Sequence, residues 1–228
     1  MPRIKQTRAS RGSQKWLQIL VNEHPELIDR VLATRLQLTK GESVHWLSPL
    51  KDDDYAEYSD RQFIARLGVT LGKVSLESFW PKRGPVWDGL AKTNSGRLIL
   101  VEAKAHIAEL VSTPARAREP SLSKIRRSLD ATRQFLRSGS KADWTTSFYQ
   151  YTNRLAHLYL LRELNGLQAY LLFLCFVNDK DIGGPTTKLE WEAAIKLLEL
   201  SLGVRSRKLS RYVRHVFIDV KKLKSPVA

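Results

Sequence analysis

Three charged residues near the middle of the chain have the types and the spacing of a metal-dependent hydrolytic site. Asp88 lies in a short β-like segment, and Glu102 and Lys104 emerge from a strongly apolar run that begins at Leu98. Side chains alternate along a strand, so Glu102, Lys104 and His106 would share one face while the small and apolar residues between them take the other. Two carboxylates beside an ammonium group suit a hard divalent cation with a water or a phosphate next to it.

These residues resemble the motif of the PD-(D/E)xK nuclease superfamily, whose members have the restriction-endonuclease-like fold. Asp88 matches the aspartate of the motif, Glu102 its second acid and Lys104 its lysine. The proline departs from the pattern, because it normally precedes the aspartate directly and here Pro85 lies three residues before Asp88. A plain salt bridge between Glu102 and Lys104 at the end of a core strand is the alternative interpretation.

The resemblance implies a metal-dependent nuclease, a phosphodiester hydrolase that cuts DNA with Mg²⁺ or Mn²⁺ and leaves a 5′-phosphate. It implies that Asp88, Glu102 and the backbone carbonyl of Ala103 hold the metal. Lys104 would orient the attacking water or stabilise the transition state, and would also accept a proton if its pKa were depressed.

The resemblance also implies site residues on the helices that precede and follow these strands. Relatives often carry a glutamate on the preceding helix, for which Glu57 is the first candidate, with Asp60 and Glu77 as alternatives. On the following helix Gln150 would face the active site and Arg154 would position a phosphate. Ordinary exposed acids and a solvent-facing polar stripe are the competing interpretations of these residues.

The net charge favours a polyanionic partner. Among 228 residues, Lys and Arg number 38 and Asp and Glu 23, which gives a net charge of +15. Because each neutralised phosphate releases counterions, DNA or another nucleic acid is the expected partner, although a solvated basic surface has the same composition. The cations concentrate in a basic arm (Arg3, Lys5, Arg8, Arg11) and in two later groups (Arg116, Arg118, Lys124, Arg126, Arg127, Arg133, Arg137; Arg205, Arg207, Lys208, Arg211, Arg214). Lys124, Arg126, Arg127 and Arg133 are the residues expected, with Arg154, to bind the nucleic acid.

Cysteine content and hydropathy point to the cytoplasm and give no sign of a membrane protein. The single cysteine, Cys175, lies inside an apolar run, so it predicts a buried thiol and no internal disulfide. No apolar run reaches the roughly 20 residues that a helix needs to cross a bilayer.

The periodicities predict an α/β fold with a restriction-endonuclease-like core. We expect a mixed sheet, made of a three-strand meander and further strands, flanked by helices and preceded by an N-terminal helical extension. Residues 1–45 would form the basic arm and N-terminal helices, and residues 46–228 the nuclease-like domain. The predicted elements are a mobile arm (1–12), helices (13–24, 25–38, 55–67), the meander (69–79, 86–92, 97–106), a basic helix ending near 136, a long helix (141–165), a strand (168–177), a helix that begins at a capping box (187–190), and a strand (212–220).

Two functions other than nuclease activity are compatible with the sequence. A non-catalytic nucleic-acid-binding protein could keep the nuclease fold and the basic surface, and an unrelated module could meet another acidic partner through that surface. The complete motif favours catalysis, because its aspartate, its glutamate and its lysine are all present. A homodimer is also compatible with the sequence, since cutting both strands of a duplex usually takes two active sites.

Overall fold

The computed structural model describes residues 3–204 and 207–223, apart from the side chain of Arg207. Helices in these ranges are α1 (Gly12–Glu23), α2 (Pro25–Arg35), α3 (Asp60–Leu67), α4 (Leu76–Phe79), α5 (Ser121–Leu136), α6 (Tyr149–Tyr159), α7 (Lys188–Leu202) and α8 (Arg207–Ser210). Strands are β1 (Arg3–Ile4), β2 (Val44–Ser48), β3 (Glu57–Tyr58), β4 (Gly89–Thr93), β5 (Leu98–Lys104), β6 (Ala169–Val177) and β7 (Val213–Asp219). Arg205, predicted as part of the last basic group, lies outside the described residues.

One five-stranded mixed sheet organises the chain in the order β2-β4-β5-β6-β7. β2, β4 and β5 are antiparallel neighbours, whereas β6 and β7 run parallel to β5. The predicted turn at Asn94–Gly96 joins β4 to β5, and the helices before β6 and β7 provide the crossovers that parallel strands require. The α/β class, with an open mixed sheet flanked by helices, is therefore confirmed.

The two faces of the sheet pack against different helices, as strand alternation requires. Leu98 and Leu100 of β5 face the cluster that contains α5, α6 and α7, and Ile99 and Val101 face the cluster that contains α1 and α2. Glu102 and Lys104 continue the first set, so β5 directs them under the helices that follow it. Both are buried at the end of a strand whose remaining side chains are apolar.

Helix α7 begins as its sequence predicts. The Thr187 hydroxyl accepts a hydrogen bond from the Glu190 backbone N–H, and the Glu190 carboxylate accepts one from the Thr187 N–H, which together form a capping box. The indole N–H of Trp191 then donates to the carbonyl of Phe176 at 2.9 Å, which fixes α7 against β6.

The predicted first strand of the meander, residues 69–79, is wrong. Gly72 and Lys73 lie in a bend, and Ser75 caps the short helix α4 by accepting a hydrogen bond from Ser78 N. Strand β2 takes the edge position instead, so the antiparallel part of the sheet draws its third strand from earlier in the chain. The proposed division between residues 45 and 46 falls inside β2.

The helix predicted over 141–165 is shorter and changes type. Asp143 accepts hydrogen bonds from the backbone and hydroxyl of Thr145, which stabilises a turn before α6. The end of the helix continues as a π-helical turn over Leu160–Leu164.

The N-terminal arm, predicted to be mobile, makes ordered contacts with the rest of the chain over its described part. β1 pairs with β3, and the Arg3 guanidinium contacts the Asp53 carboxylate at 2.6 Å. This pairing occupies Glu57 and Tyr58 as a strand, so the helix predicted from residue 55 begins only at Asp60. Helix α1 begins at Gly12, one residue before its predicted start, and the Ser13 hydroxyl donates to Glu109.

No helix among the described residues combines the length and the apolarity that crossing a bilayer would need. The single cysteine, Cys175, is buried in β6, as its apolar surroundings predict.

Gly184 provides a stability test of the packing at the end of β5. A Cβ at this position would lie 2.3 Å from the carbonyl oxygen of Ala105, so the Gly184→Ala variant must displace backbone next to the site. We expect a loss of about 1–3 kcal/mol in the free energy of unfolding, measured by urea denaturation. Gly139→Ala is the control, because nothing lies within 4 Å of its Cβ position. Equal unfolding midpoints for the two variants would contradict the packing.

Candidate active site

Three acids occupy neighbouring positions, one in β3, one just before β4 and one in β5. The last β4–β5 pair is Gly89 with Val101, and continuing this antiparallel register by one residue places Asp88 opposite Glu102. An isolated antiparallel bridge pairs Tyr58 with Trp87, and the same step places Glu57 opposite Asp88. Opposite residues of antiparallel segments have side chains on the same face. We call Glu57, Asp88 and Glu102 the acid row.

The Asp88 side chain binds the backbone of β5 just beyond the last residue pair of β4 and β5. Its Oδ2 accepts a hydrogen bond of 2.8 Å from the backbone N–H of Ala103, beyond the last residue pair of β4 and β5. The N–H and C=O of one strand residue point to the same side, so the carbonyl of Ala103 also lies toward Asp88. Gly89 permits this approach, since a Cβ there would lie 3.2 Å from Val101 Cβ and 3.3 Å from the Ser48 carbonyl oxygen.

Glu102 is a buried carboxylate held between two cations. Only 1% of the residue is exposed. Its Oε1 accepts a hydrogen bond from Lys104 Nζ, and its Oε2 lies 2.6 Å from both Nε and Nη2 of Arg154. Burial raises the pKa of Glu102, but the charges of Arg154 and Lys104 outweigh burial and leave that pKa below its ordinary value. Glu102 is therefore ionised at neutral pH.

Lys104 stays protonated in this environment. Its ammonium group bonds to Glu102 and, at 3.0 Å, to the side-chain oxygen of Gln150. Burial lowers the pKa of Lys104, but the carboxylates of Glu102 and Asp88 raise it to a net value above normal. The condition for Lys104 to accept a proton, a depressed pKa, is therefore not met by these contacts, and its chemistry here is that of a fixed positive charge.

Helix α6 supplies the polar wall of the site. Arg154 donates from Nη2 to the carbonyl of Val86 at 2.7 Å and lies over the ring of Trp87 at 4.6 Å. Gln150 and Arg154 therefore lie beside Lys104 and Glu102, on the side that the resemblance implied, and Arg154 is buried and not solvent-facing. Beneath them, burial lowers the pKa of His157 to about 3, so a neutral ring packs against the aromatic residues of the core.

Asp88 is the member of the acid row that borders an open cleft of about 600 Å³. Asp88, Lys104 and Arg154 reach it from the site, and Tyr149 contributes an aromatic wall. The remaining lining residues are Pro85, Val86, Glu109, Val111, Ser112, Thr113, Gln150 and Asn153. A cleft of this size leaves the charged groups accessible to a ligand from one side.

Three other predicted candidates have structural contacts elsewhere. Asp60 accepts hydrogen bonds from the backbone N–H groups of Arg83 and Gly84, which stabilises the loop before Pro85. Glu77 pairs with Arg61 on the surface. Nδ1 of His106 accepts a hydrogen bond from the N–H of Ala108 and so caps the turn after β5. Glu57 lies in the row, but on strand β3 and not on a helix.

The predicted nucleic-acid contacts on α5 lie outside the lining of the cleft. Arg126 and Arg127 are exposed on this helix. Lys124 donates to the carbonyl of Glu77 at 2.9 Å, and Arg133 donates to the carbonyl of Ser140 at 2.6 Å. Two of the four cations therefore bind backbone carbonyls, one in α4 and one in the segment after α5, and within the described residues Arg126 and Arg127 have no such side-chain contact with the backbone.

Several residues at the site carried no signal in the sequence. Glu109 accepts hydrogen bonds from the backbone N–H groups of Ala105 and His106, and from the hydroxyl of Ser13. The bonds to Ala105 and His106 are local, and the one to His106 belongs to a capping box, whereas the bond to Ser13 joins distant segments, so only the tertiary structure reveals it. The same holds for Gln6 and Gln14, whose amides reach Glu57 from the N-terminal segment.

The donor set fits a divalent cation of the Mg²⁺ type in part. Among the described residues, no group of three His, Cys, Asp or Glu side chains is arranged to hold a metal. Asp88, Glu102 and the carbonyl of Ala103 nevertheless offer the oxygen donors that Mg²⁺ and Mn²⁺ accept, alongside water and phosphate. Burial and the charge of Glu102 raise the pKa of Asp88 to about 8, and a cation between the two carboxylates would relieve that repulsion.

This raised pKa predicts how stability depends on pH without a divalent cation. Asp88 ionises near 3.8 in the unfolded chain and near 8 in the fold, so the unfolded state binds fewer protons between these values and stability falls as pH rises through them. Asp88→Asn keeps an acceptor for Ala103 N–H but carries no charge. In EDTA, its thermal midpoint should exceed that of the wild type clearly at pH 8 and less at pH 5. Asp130→Asn, at an exposed position of α5, is the control, and a gain independent of pH would contradict the assignment.

Comparisons of this chain with protein-family models, with curated proteins and with solved structures gave no match.

Proposed function

We propose that this protein is a Mg²⁺- or Mn²⁺-dependent nuclease of the restriction-endonuclease-like fold that hydrolyses phosphodiester bonds of DNA. One observation carries the proposal: the strand register sets Asp88 opposite Glu102, with Lys104 bonded to Glu102 at the edge of an accessible cleft. The order of elements supports the finer fold. α1 precedes the antiparallel strands β2, β4 and β5, and α5 and α6 lead to the parallel strand β6.

In this proposal the acidic side chains bind the metal ion, and the basic side chains of the protein bind the substrate. Asp88, Glu102 and the Ala103 carbonyl would be the protein ligands. A bound divalent cation would supply charge neutralisation at the phosphate and a water of lowered pKa. Because Glu102 also accepts hydrogen bonds from Lys104 and Arg154, its orientation is fixed before any ligand arrives, which avoids reorganisation during the reaction.

Lys104 and Arg154 would act on the phosphate through their charge. Lys104 reaches the cleft with a protonated amine, and its bond to Gln150 fixes the direction of that amine. Arg154 reaches the same cleft while anchored to Glu102 and Val86. Negative charge that builds on the phosphate oxygens during attack would be stabilised by these preoriented donors.

DNA is the proposed substrate because of the charge outside the site. The chain carries +15 overall, and exposed arginines lie in the loop after β5 and on α5, such as Arg116, Arg118, Arg126 and Arg127. Contacts of this kind hold the backbone without reading sequence. They predict an affinity for DNA that falls steeply as the salt concentration rises.

A cleavage panel tests the proposal. Purified protein would be incubated with single-stranded, duplex and branched DNA in Mg²⁺, Mn²⁺ or EDTA, beside the Lys104→Ala variant. We expect cleavage with either metal, none in EDTA, and a loss of cleavage in the variant. Cleavage that survives in Lys104→Ala would show that the activity comes from another centre, and an absence of cleavage on every substrate would refute the proposal.

One observation favours a second candidate, a non-catalytic nucleic-acid-binding protein with this fold. Lys104 and Arg154 already neutralise Glu102, so the buried carboxylate does not require a metal for its charge to be balanced. Under this alternative the wild type binds DNA without cutting it. Asp88→Asn would then leave DNA affinity unchanged in Mg²⁺ and in EDTA alike.

A further inference from the structure

The N-terminal segment, residues 3–14, contacts the acid row directly. β1 pairs with β3 so that Ile4 lies opposite Glu57. The side-chain amide of Gln6 donates to Oε2 of Glu57 at 3.1 Å, and that of Gln14 donates to Oε1 at 3.0 Å. Both oxygens of Glu57 therefore accept an amide, one from the arm that the sequence predicted to be mobile (residues 1–12) and one from the first turn of α1. We call Gln6 and Gln14 the glutamine pair.

Two donors on opposite oxygens fix the orientation of a carboxylate. Neither amide carries a charge, so the pair holds Glu57 without neutralising it, unlike the cations that bind Glu102. Burial raises the pKa of Glu57 above its ordinary value on balance, and the hydrogen bonds from Gln14 and Gln6 offset part of that rise by favouring the ionised form. The glutamine pair thus favours a negative charge beside Asp88.

Other contacts hold the glutamine pair in place. Arg3 contacts Asp53, and the backbone N–H of Gln6 donates to the carbonyl of Asp54 at 2.9 Å. Gln18 accepts from the N–H of Ala9 and donates to the carbonyl of Thr7, which fastens the segment to α1. The N-terminal segment is therefore anchored before and after Gln6.

We infer that Gln6 and Gln14 are positioning residues of the proposed active site, holding the Glu57 carboxyl group in place as a third acidic group beside Asp88 and Glu102. This inference rests on the proposed function. It assigns the N-terminal segment to the site itself, where composition suggested only a basic arm. Loss of the pair would leave the Glu57 carboxylate free to turn toward solvent, and the row would attract a divalent cation less strongly.

The test measures Mn²⁺ affinity of the full chain without nucleic acid, from the electron paramagnetic resonance signal of free Mn²⁺. We expect the Gln6→Leu/Gln14→Leu double variant and Glu57→Gln each to bind Mn²⁺ about tenfold more weakly than the wild type. Gln14→Leu alone should show an intermediate loss, and serves if the double variant does not fold. Arg8→Ala is the matched control, because it removes an exposed ion pair with Glu23 from the same segment.

A combined variant separates positioning from a general structural role. If the glutamine pair acts through Glu57, adding both leucine substitutions to Glu57→Gln should change Mn²⁺ affinity by less than about twofold. Additive losses, unchanged affinity in the double variant, or a wild type that binds no Mn²⁺ would each overturn the inference. A chain that shows the expected Mn²⁺ pattern but cuts no DNA would keep the inference and refute the nuclease. If the wild type cuts DNA and the double variant binds Mn²⁺ as tightly as the wild type, the inference is refuted and the nuclease proposal is kept.

Discussion

Replacing Arg154 by methionine should lower the free energy of unfolding by about 3–5 kcal/mol, because it leaves a buried carboxylate with one cation fewer. Arg154 contacts Oε2 of Glu102 through two nitrogens and also bonds to the carbonyl of Val86. Methionine keeps much of the side-chain volume and removes the charge. Urea denaturation at neutral pH would measure the change.

Arg162→Met is the matched control for this loss. Arg162 also donates to a backbone carbonyl, that of Ala169 at 2.9 Å, and stacks on Tyr212, but no ion pair joins it to a carboxylate among the described residues. Adding Glu102→Gln to Arg154→Met should recover part of the lost stability, since the uncompensated charge is then gone. Equal costs for the two arginine substitutions would contradict the role given to the Glu102 pair.

Replacing Lys104 by methionine should reduce the rate of DNA cleavage at saturating enzyme by at least about 10²-fold, while DNA affinity stays within a few-fold. The ammonium group of Lys104 is held between Glu102 and Gln150 and reaches the cleft, so its charge would act on the reacting phosphate. Rapid-quench measurement on labelled DNA separates this rate from binding, which fluorescence anisotropy would follow in Ca²⁺.

Lys92→Met provides the comparison for Lys104→Met. Lys92 lies on the neighbouring strand β4, and its amine donates to the carbonyl of Leu67 away from the acid row. Its replacement removes the same net charge from the same sheet, so cleavage should stay near the wild-type rate. A similar loss in both variants would mean that total charge, and not the position of Lys104, determines the rate.

Strand periodicity predicted the centre of the site because its residues are close in sequence. Glu102 and Lys104 share a face of one strand, and the turn at Asn94–Gly96 returns the chain so that β4 meets β5. Helical spacing likewise predicted that Gln150 and Arg154 share one side of α6. In each case the geometry depends on local backbone repeats that a sequence pattern displays directly.

Contacts between distant segments were not predictable in the same way. The edge strand β2 and the pairing of β1 with β3 join residues far apart in sequence, and no local pattern specifies which segments meet. Residues 69–79 have β-like composition, yet Gly72 and the cap at Ser75 produce a bend and a short helix. The direction of the pKa shift of Lys104 could not be predicted from the sequence either, since it depends on the buried carboxylates around the amine.

The most direct test is to locate Mn²⁺ by anomalous scattering in crystals grown at a Mn²⁺ concentration that supports cleavage. The nuclease account predicts one peak in contact with the carboxylates of Asp88 and Glu102 and the carbonyl of Ala103, and no such peak in Asp88→Asn crystals. A Mn²⁺ ion bound only elsewhere, with Glu102 still enclosed by Lys104 and Arg154 and the space beside Asp88 free of metal, would contradict it.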